Sequence, residues 1–247
     1  MTRSLPSAAT RIGVVTGASS GIGRACLEHL TELGAVVEGW DLDNASLTGL
    51  PHGGAQVDVT DPVSVTAAAD AVRHRYRRLD FVVNSAGIFA VGALADVSAT
   101  TVRSLFDVNV LGTTLVTQSL LPLLRARGGA VVNITSSTAL RATISNANYS
   151  ASKAAVVHLT RCWALELAAE GIRVNAVAPG PIDTGLHSRS GMTAAEVDQL
   201  MVSRAKSIPL GRVGVPLDTA RWVARLALDD EWVTGAVIPV DGGMSVG

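Results

Sequence analysis

The chain has 247 residues, of which 48% are hydrophobic and 24 are glycine, and its formal net charge at pH 7 is −1. This length and apolar content suffice for one sizeable α/β core, so we expect a single domain over residues 1–247. A nearly neutral chain provides no basic field that would gather nucleic acid or an anionic membrane. We therefore expect neither among its partners.

The two cysteines, Cys26 and Cys162, lie in helix-like segments without the spacing of a metal or redox motif. We expect reduced thiols and no metal site. The N-terminal sequence MTRSLPSAATRIGVVTG has a proline and polar residues where a signal peptide needs an apolar core. Since no apolar stretch is long enough to span a bilayer, these features predict a soluble cytoplasmic protein.

Short apolar runs alternate with longer segments of helical period along almost the whole chain. The runs are residues 12–17, 35–40, 55–59, 79–84, 130–136, 172–180 and 235–243. Runs that are apolar on both faces, each followed by a helix, are typical of a parallel sheet covered by helices on both faces. Because crossovers are right-handed, we expect an α/β fold with a doubly wound, Rossmann-type sheet that has one strand for each of these runs, seven in all.

The clearest helix candidates are residues 20–34 and 148–171, each stopped by a glycine. One long segment, residues 185–216, interrupts the alternation and has its own helical pattern around AAEVDQLMVSRA. Long insertions in compact domains are often functional, so we expect a substrate loop or lid here.

The sequence TGASSGIG follows the first apolar run and places Gly17, Gly21 and Gly23 between a strand and a helix. Glycines permit a tight turn and let backbone amides approach a pyrophosphate, whose charge the helix N-terminus favours. The spacing differs from G-x-G-x-x-G, so the turn alone is a weak indication of a nucleotide site. Its position directly after the first strand strengthens that prediction.

Asp41 ends the second apolar run, where such folds place the residue that contacts the adenosine ribose. A carboxylate accepts hydrogen bonds from the ribose hydroxyls and repels a 2′-phosphate. Leu42 follows, and no arginine stands beside the acid in sequence to bind that phosphate. The pattern predicts NAD rather than NADP, and the alternative is a solvated loop aspartate.

Tyr149 and Lys153 are four residues apart in a helical segment, so their side chains can point into the same cleft. A nearby ammonium favours the phenolate and lowers the pKa of a tyrosine. Such a tyrosine can take a proton from an alcohol as hydride leaves its carbon, or return it to a carbonyl. Taken alone, the same spacing is common on ordinary helices.

Two further polar residues make the catalytic interpretation stronger. Ser136 sits where the strand AVVNITS ends, at the carboxyl edge of the sheet, where open α/β folds bind ligands. Asn109 lies in the apolar helical run FDVNVLGTTLVTQSLL, where a buried amide is costly unless its hydrogen bonds are used. It is a candidate either for the site or for holding neighbouring backbone together.

Taken together, these motifs resemble those of the short-chain dehydrogenase/reductase family. They occur in the family's order and spacing over nearly the full length of the chain. TGASSGIG is similar to the family's TGxxxGxG turn, YSASK to its YxxxK, and NSAG to its NNAG, with Ser85 replacing the second asparagine. Ser136 stands thirteen residues before Tyr149, as in the family. APG and VDGGM match later landmarks of the family.

The resemblance implies a role for each matching residue. Ser136 would position the substrate oxygen, Tyr149 would be the general acid/base, Lys153 would bind the nicotinamide ribose and lower the tyrosine's pKa, and Asn109 would anchor a water of the proton relay. The implied cofactor-binding residues are Gly17, Ser19, Ser20, Gly21, Ile22, Gly23, Asp41, Leu42, Asp58, Val59, Asn84, Ala86, Gly87, Tyr149, Lys153, Pro179, Gly180, Ile182 and Thr184.

The activity that follows is an NAD-dependent dehydrogenase of a secondary alcohol or diol. The same four residues could serve a ketone or 3-oxoacyl-carrier reductase using NAD(P)H, although Ser20 stands where an arginine would help NADPH. A second alternative is a non-catalytic nucleotide-binding sensor. The family resemblance also implies a homotetramer.

Four residues are substrate candidates. Arg141, His187 and Arg189 could receive a carboxylate or another anionic group, or could be solvated at the surface. Asn146 flanks the helix that carries the tyrosine and either contacts substrate or only caps that helix.

Overall fold

Seven parallel strands form the single sheet of this α/β domain, in the spatial order β3-β2-β1-β4-β5-β6-β7. The computed structural model describes residues 10–43, 45–184, 193–229 and 232–246. The strands are β1 Ile12–Thr16, β2 Val36–Asp41, β3 Gly54–Gln56, β4 Phe81–Asn84, β5 Gly129–Ile134, β6 Ile172–Pro179 and β7 Val237–Val240. The predicted sheet is confirmed, with one strand in each apolar run.

Helices connect the strands and cover both faces of the sheet. They are α1 Gly21–Glu32, α2 Pro62–Tyr76, α3 Ala99–Phe106, α4 Thr113–Leu124, α5 Ala147–Leu167, α6 Ala194–Lys206 and α7 Pro216–Leu228. Both clearest helix candidates are confirmed, and α6 is the helical pattern expected inside the long interruption. The first part of that interruption, residues 185–192, lies outside the described residues.

Alternate residues of the central strands enter two separate cores. Val14 and Val82 pack in a core with α2, α4 and α5, whereas their neighbours Val15 and Val83 pack in a core with α1 and α7. All four side chains are fully buried. Side chains of successive strand residues point to opposite faces, so a strand buried on both sides is apolar throughout.

The order of the strands determines where a ligand can bind. From β1 the chain builds outward to β2 and β3, and β4 then returns to the other side of β1. Loops that follow β1 and β4 therefore diverge and leave a crevice at the carboxyl ends of the strands. The candidate site lies at this edge.

One buried acid in the sheet depends on a single arginine. The Glu38 side chain in β2 is 5% exposed, and its Oε2 is 2.9 Å from Nη1 of Arg75, a side chain that is 55% exposed. Trp40 Nε1 lies 3.4 Å from the other carboxylate oxygen. Burial raises the pKa of Glu38, and both contacts oppose that rise by favouring the charged form.

Replacing Arg75 with methionine should therefore destabilise the protein. We expect Arg75→Met to lower the free energy of unfolding by about 1–2 kcal/mol at pH 8, since the buried carboxylate loses its counter-ion. The loss should be smaller at pH 5, where more of the carboxyl is protonated. Urea unfolding at both pH values measures it.

A matched control is Arg73→Met on the same helix, because Arg73 pairs with Asp70 and both side chains are about half exposed. That variant should change the free energy of unfolding by less than about 0.5 kcal/mol. Equal losses in the two variants would show that the Glu38 pair contributes no more than a surface ion pair.

Candidate active site

The turn after β1 and the loop after β4 are tied together at the crevice. The Thr16 hydroxyl oxygen accepts the backbone N–H groups of Ser85 at 3.1 Å and Ala86 at 3.0 Å. A Cβ on Gly17 would lie 2.9 Å from the Ala86 Cα, so the two segments approach as closely as backbone allows. Ser85, the departure from the family's NNAG, makes this contact through its backbone, which any residue could supply.

The glycine turn has the geometry of an anion cradle. Gly17 and Gly21 adopt left-handed conformations, with φ of +69° and +55°, and a Cβ on Gly23 would lie 2.0 Å from the Gly17 carbonyl oxygen. Ser20 precedes α1 in an extended conformation, and its side chain caps none of the helix amides. Since the first turn also has no acidic residue, its N–H groups and dipole favour a bound pyrophosphate.

Other predicted contacts lie around this cradle. Thr184, which follows β6, has its Cβ and methyl 3.3 Å from where a Gly21 Cβ would be. Ile22 packs at the edge of the core between α1 and the sheet, so it holds the helix in place. Ser19 donates its backbone N–H to a carboxylate oxygen of Asp41 at 3.0 Å.

Asp41 sits at the end of β2 with both carboxylate oxygens engaged by backbone. Besides Ser19, the Asp43 N–H donates to it at 3.0 Å. The Leu42 side chain between them is 63% exposed. Arg24, in the first turn of α1, is held by Glu28 at 2.6 Å and by the Ser46 carbonyl at 3.1 Å. The carboxylate is thus fixed beside the glycine turn, where a ribose would lie in this fold.

Tyr149 and Lys153 lie one turn apart at the start of α5. Lys153 is 5% exposed, and its Nζ donates to the Ile134 carbonyl at 3.0 Å. Burial lowers the pKa of Lys153 to about 8. Tyr149 is half-buried; burial raises its pKa, and a hydrogen bond with Ser136 opposes that rise. The predicted serine and tyrosine therefore lie close together.

Ser136 leaves the end of β5 in an extended conformation and precedes a single 3₁₀ turn, Ser137–Ala139. Its oxygen accepts the Thr138 N–H at 3.2 Å and lies 3.0 Å from the Thr138 hydroxyl. These contacts fix the Ser136 oxygen at the carboxyl edge of the sheet. The hydroxyl hydrogen can rotate toward Tyr149 or toward a substrate oxygen.

Asn109 is fully buried in the single π-helical turn between α3 and α4, Asp107–Gly112. Its Oδ1 accepts the Ile88 N–H at 2.9 Å, and its Nδ2 donates to the Ile88 carbonyl at 3.1 Å and to Ser152 Oγ at 3.0 Å. Both amide hydrogens are therefore used inside the protein. The amide holds neighbouring backbone together, and water anchoring stays a prediction.

Gly87 connects this amide to the buried lysine. A Cβ on Gly87 would lie 3.0 Å from Asn109 Oδ1 and 3.1 Å from Lys153 Nζ. The loop after β4, the π-helical turn and α5 thus meet at one point. Any side chain at Gly87 would displace one of the two polar groups.

Asn84, which the family resemblance places at the cofactor, directs its side chain into the core, so a cofactor contact through its backbone stays a prediction. It is buried, and its Nδ2 donates to Thr117 Oγ1 at 2.9 Å and to Asn133 Oδ1 at 2.8 Å. Asn133 in turn donates to the Thr160 hydroxyl at 2.9 Å. The amides therefore join β4 and β5 to α4 and α5, which explains why a polar residue ends an otherwise apolar strand.

Two further residues that the family resemblance places at the cofactor, Asp58 and Val59, are also engaged within the protein. Asp58 accepts the Thr60 N–H at 2.9 Å and lies 2.7 Å from its hydroxyl, forming a turn before α2. Val59 is 9% exposed and packs in the core shared by α2 and α4. Their direct contact with a cofactor remains a prediction.

The segment after β6 packs on the C-terminal segment. A Cβ on Gly180 would lie 2.7 Å from the Asp241 Cα, so Gly180 is pressed against Asp241, while Pro179 pairs with Val240. The carboxylate of Asp241 accepts the N–H groups of Gly243 at 2.9 Å and Ser245 at 2.8 Å. Ile182 pairs with Gly214 in an isolated parallel bridge, which joins the two ends of the long interruption.

Of the four substrate candidates, two can be placed. Arg141 donates from Nη1 to the Met244 carbonyl at 2.7 Å, so it ties the C-terminal segment to the loop after Ser136. The Asn146 side chain accepts the Ser150 hydroxyl at 3.1 Å and the Thr143 hydroxyl, and it accepts no backbone N–H of α5 as a cap. His187 and Arg189 lie outside the described residues.

Phe89 is at the site but was missed by the sequence reasoning. Its ring meets the Tyr149 ring edge to face, with centroids 4.8 Å apart and an interplanar angle of 85°. The signal that could have found it is an aromatic residue just after NSAG, where the chain leaves the sheet. Ser145 was also missed: its φ is +62°, and its carbonyl accepts the Gly92 N–H at 2.7 Å.

Comparison with known proteins agrees with this geometry. A family model described as enoyl-(acyl carrier protein) reductase matches residues 17–245. The chain belongs to the short-chain dehydrogenase/reductase family. It is therefore an oxidoreductase of a family that uses a nicotinamide cofactor and acts on small molecules.

Similar proteins cover nearly the whole chain. A 3-oxoacyl-(acyl-carrier-protein) reductase, FabG, of Thermotoga maritima is 36% identical, over 96% of this chain and 98% of its own. A cis-4-hydroxycyclohexanecarboxylate dehydrogenase of Sinomonas cyclohexanicum is 39% identical, over 95% and 96%. The structure of Thermoplasma acidophilum aldohexose dehydrogenase superposes with a TM-score of 0.90 at 31% identity, covering 96% of this chain and 95% of that one.

Among the described residues, no helix combines the length and the apolar character needed to cross a membrane.

The buried ammonium of Lys153 should reduce stability in the absence of ligand. Because its pKa is about 8 in the folded protein against 10.5 as the reference value, the unfolded state binds more protons between these values and stability rises with pH there. We expect Lys153→Met to raise the free energy of unfolding by roughly 1–3 kcal/mol at pH 7. That advantage should shrink between pH 8 and pH 10.5, as urea unfolding can measure.

Lys206→Met is the matched control, because Lys206 is exposed at the end of α6. Its effect should be small and the same at every pH. A Lys153→Met variant that is less stable than the parent at pH 7 would mean that the bond to Ile134 outweighs the cost of burying the charge.

The Arg141 contact should hold the C-terminal segment. We expect Arg141→Ala to accelerate amide hydrogen exchange at Gly243 and Ser245 several-fold, because the segment loses its link to the loop after Ser136. Arg125→Ala is the control, since that exposed arginine pairs with Glu170. Unchanged exchange, together with a raised KM for anionic substrates alone, would instead support the anion-receptor hypothesis.

Proposed function

We propose that the protein is an NAD-dependent dehydrogenase that oxidises a secondary alcohol to a ketone. The observation that carries the proposal is the bond from the buried Lys153 ammonium to the Ile134 carbonyl, which brings the start of α5, with Tyr149 one helical turn before the lysine, to the strand end that carries Ser136. A phenol and a second hydroxyl at this edge of the sheet can bind one substrate oxygen from two sides. The glycine turn lies at the same edge. The Ala86 N–H, in the loop after β4, donates to the hydroxyl oxygen of Thr16, the residue directly before that turn.

In this mechanism side chains of the protein bind the substrate oxygen and accept the hydroxyl proton. Bound NAD would supply the acceptor for the hydride that leaves the carbinol carbon. The Ser136 hydroxyl donates a hydrogen bond to the substrate oxygen, and the Tyr149 phenolate takes the hydroxyl proton. The carbon–hydrogen and oxygen–hydrogen bonds break as the carbonyl double bond forms, so the alcohol is oxidised by two electrons.

In this proposal the Lys153 ammonium stabilises the phenolate form of Tyr149. Burial alone raises the pKa of Tyr149, so the protein needs a compensating positive charge near the phenol. With a pKa of about 8, Lys153 is largely protonated at neutral pH. Its bond to the Ile134 carbonyl fixes the ammonium close to Gly87, where the loop after β4 would meet a ribose.

The preference for NAD rests on Asp41. Its carboxylate is fixed by the Ser19 and Asp43 amides and is still able to accept from ribose hydroxyls through its remaining lone pairs. A 2′-phosphate would approach it against like-charge repulsion. Arg24 is already engaged by Glu28 and Ser46, which makes it a poor phosphate ligand.

A second candidate is the reduction of a 3-oxoacyl group on a carrier. The full-length similarity to the Thermotoga maritima reductase supports it, and the same residues can run the reaction in either direction. A sensor without catalysis is a weaker proposal, because a neighbouring serine–tyrosine pair has no evident use in nucleotide binding alone. We also propose a cytoplasmic homotetramer, for which Leu165 on α5, 83% exposed, offers apolar surface.

The decisive measurement compares cofactors and directions. Purified protein should form NADH from a panel of secondary alcohols and diols, and should bind NADH more tightly than NADPH. Tyr149→Phe should lower kcat by roughly 10²- to 10⁴-fold while leaving NADH binding intact. Undiminished turnover in that variant would contradict the mechanism, and faster NADPH-dependent reduction of acetoacetyl-CoA would favour the reductase.

Asp41→Asn isolates the contribution of charge. The amide oxygen can still accept the Ser19 N–H, whereas the Asp43 N–H, in an exposed turn, loses its acceptor to water, and the repulsion of a 2′-phosphate is lost. We expect the NADH/NADPH affinity ratio to fall by about tenfold or more. A ratio that does not change would mean that Asp41 is a structural residue of the turn.

A further inference from the structure

The loop that follows β4 is fixed at both ends beside Tyr149. At its start, Asn109 bonds both the N–H and the carbonyl of Ile88. At its end, Gly92 donates its N–H to the Ser145 carbonyl in the loop after β5. A residue between these two anchors has little freedom to move away from the site.

Phe89 lies between the anchors and carries its ring to Tyr149. The two rings meet edge to face at 4.8 Å, an arrangement that aromatic pairs favour. Phe89 is nevertheless 52% exposed, so part of the ring that meets Tyr149 stays open to solvent. The open part of the ring therefore forms a wall next to the phenol.

The neighbouring side chains of both loops are also apolar. Val91 is 67% exposed in the first loop, and Leu140 and Ile144 are 38% and 95% exposed in the second. The charged residues of residues 88–97 and 137–146 are Asp96 and Arg141, and Arg141 is engaged by the Met244 carbonyl. The described surface of these two loops, one of which carries Phe89 to the Tyr149 ring, is therefore mainly apolar.

Resting on the proposed function, we infer that Phe89 selects the substrate by packing against the group that the reacting carbon carries. That group is uncharged and apolar next to the carbinol, such as an alicyclic ring or a hydrocarbon chain. Tyr149 and Ser136 hold the oxygen, and Phe89 holds the carbon skeleton. The ring takes no part in proton or hydride transfer.

This role predicts that the protein prefers alcohols whose apolar group is large enough to cover the Phe89 ring. Cyclohexanol and 2-octanol can cover the exposed ring, 2-propanol is too small to do so, and 3-hydroxybutyrate places a carboxylate near it. The wild-type protein should therefore have a higher kcat/KM with NAD for the first two than for the last two. Removal of the ring should reduce that difference.

The test measures kcat/KM for these four alcohols in Phe89→Ala, Phe89→Tyr and Leu94→Ala. We expect Phe89→Ala to lower the values for cyclohexanol and 2-octanol by about ten- to hundredfold, mostly through KM, and to change 2-propanol less than about threefold. Phe89→Tyr should retain the wild-type order, since it keeps the ring. Leu94, in the same loop and 90% exposed, should tolerate alanine without effect.

Other outcomes distinguish a failure of the Phe89 inference from a failure of the proposed dehydrogenase function. An equal fall for all four alcohols in Phe89→Ala, with a shifted pH profile, would mean that the ring only positions Tyr149 and would overturn the inference. A wild-type preference for 3-hydroxybutyrate would overturn it as well, while leaving the dehydrogenase intact. A wild-type protein that turns over none of the four in either direction would overturn the proposed function and this inference with it.

Discussion

The hydrogen bond from the Lys153 ammonium to the Ile134 carbonyl is the contact on which the geometry of the site depends. Ile134 ends β5 two residues before Ser136, and Tyr149 lies one turn before Lys153 on α5. One bond between the strand end and the helix therefore brings the serine and the tyrosine together. The bond requires a charge to be buried, and the depressed pKa of Lys153 reports that cost. In this site, catalytic geometry and stability oppose each other.

Buried amides provide a second layer of support around that bond. Asn84 and Asn133 link neighbouring strands to threonines on α4 and α5, while Asn109 holds the backbone of Ile88 and the Ser152 hydroxyl. A π-helical turn places Asn109 so that its side chain is fully buried. Because unsatisfied amides in a core are costly, each of these bonds restricts the site to one arrangement. This rigidity is also what holds Phe89 against Tyr149.

The two halves of the site have different chemical character, and their division corresponds to the two reactants we propose. Around β1 and β2, backbone amides and the Asp41 carboxylate present polar groups to a nucleotide. Around the loops after β4 and β5, Phe89 and Ile144 present apolar surface to a carbon skeleton. The hydroxyls of Ser136 and Tyr149, at the junction, are the groups we propose for the substrate oxygen.

The sequence by itself determined the strands, the parallel sheet, the glycine turn and the serine, tyrosine and lysine, because these depend on local periodicity and on spacing within single segments. It also indicated that Asn109 is buried, because an apolar helical run packs in the core and buries the residues within it. Tertiary structure alone decided that Asn84 points into the core, that Arg141 binds the Met244 carbonyl and that Phe89 lies on Tyr149. Each of these contacts joins residues at least 49 positions apart, and the direction of a side chain in a loop or at a strand end follows from what packs against it, not from its neighbours in the chain.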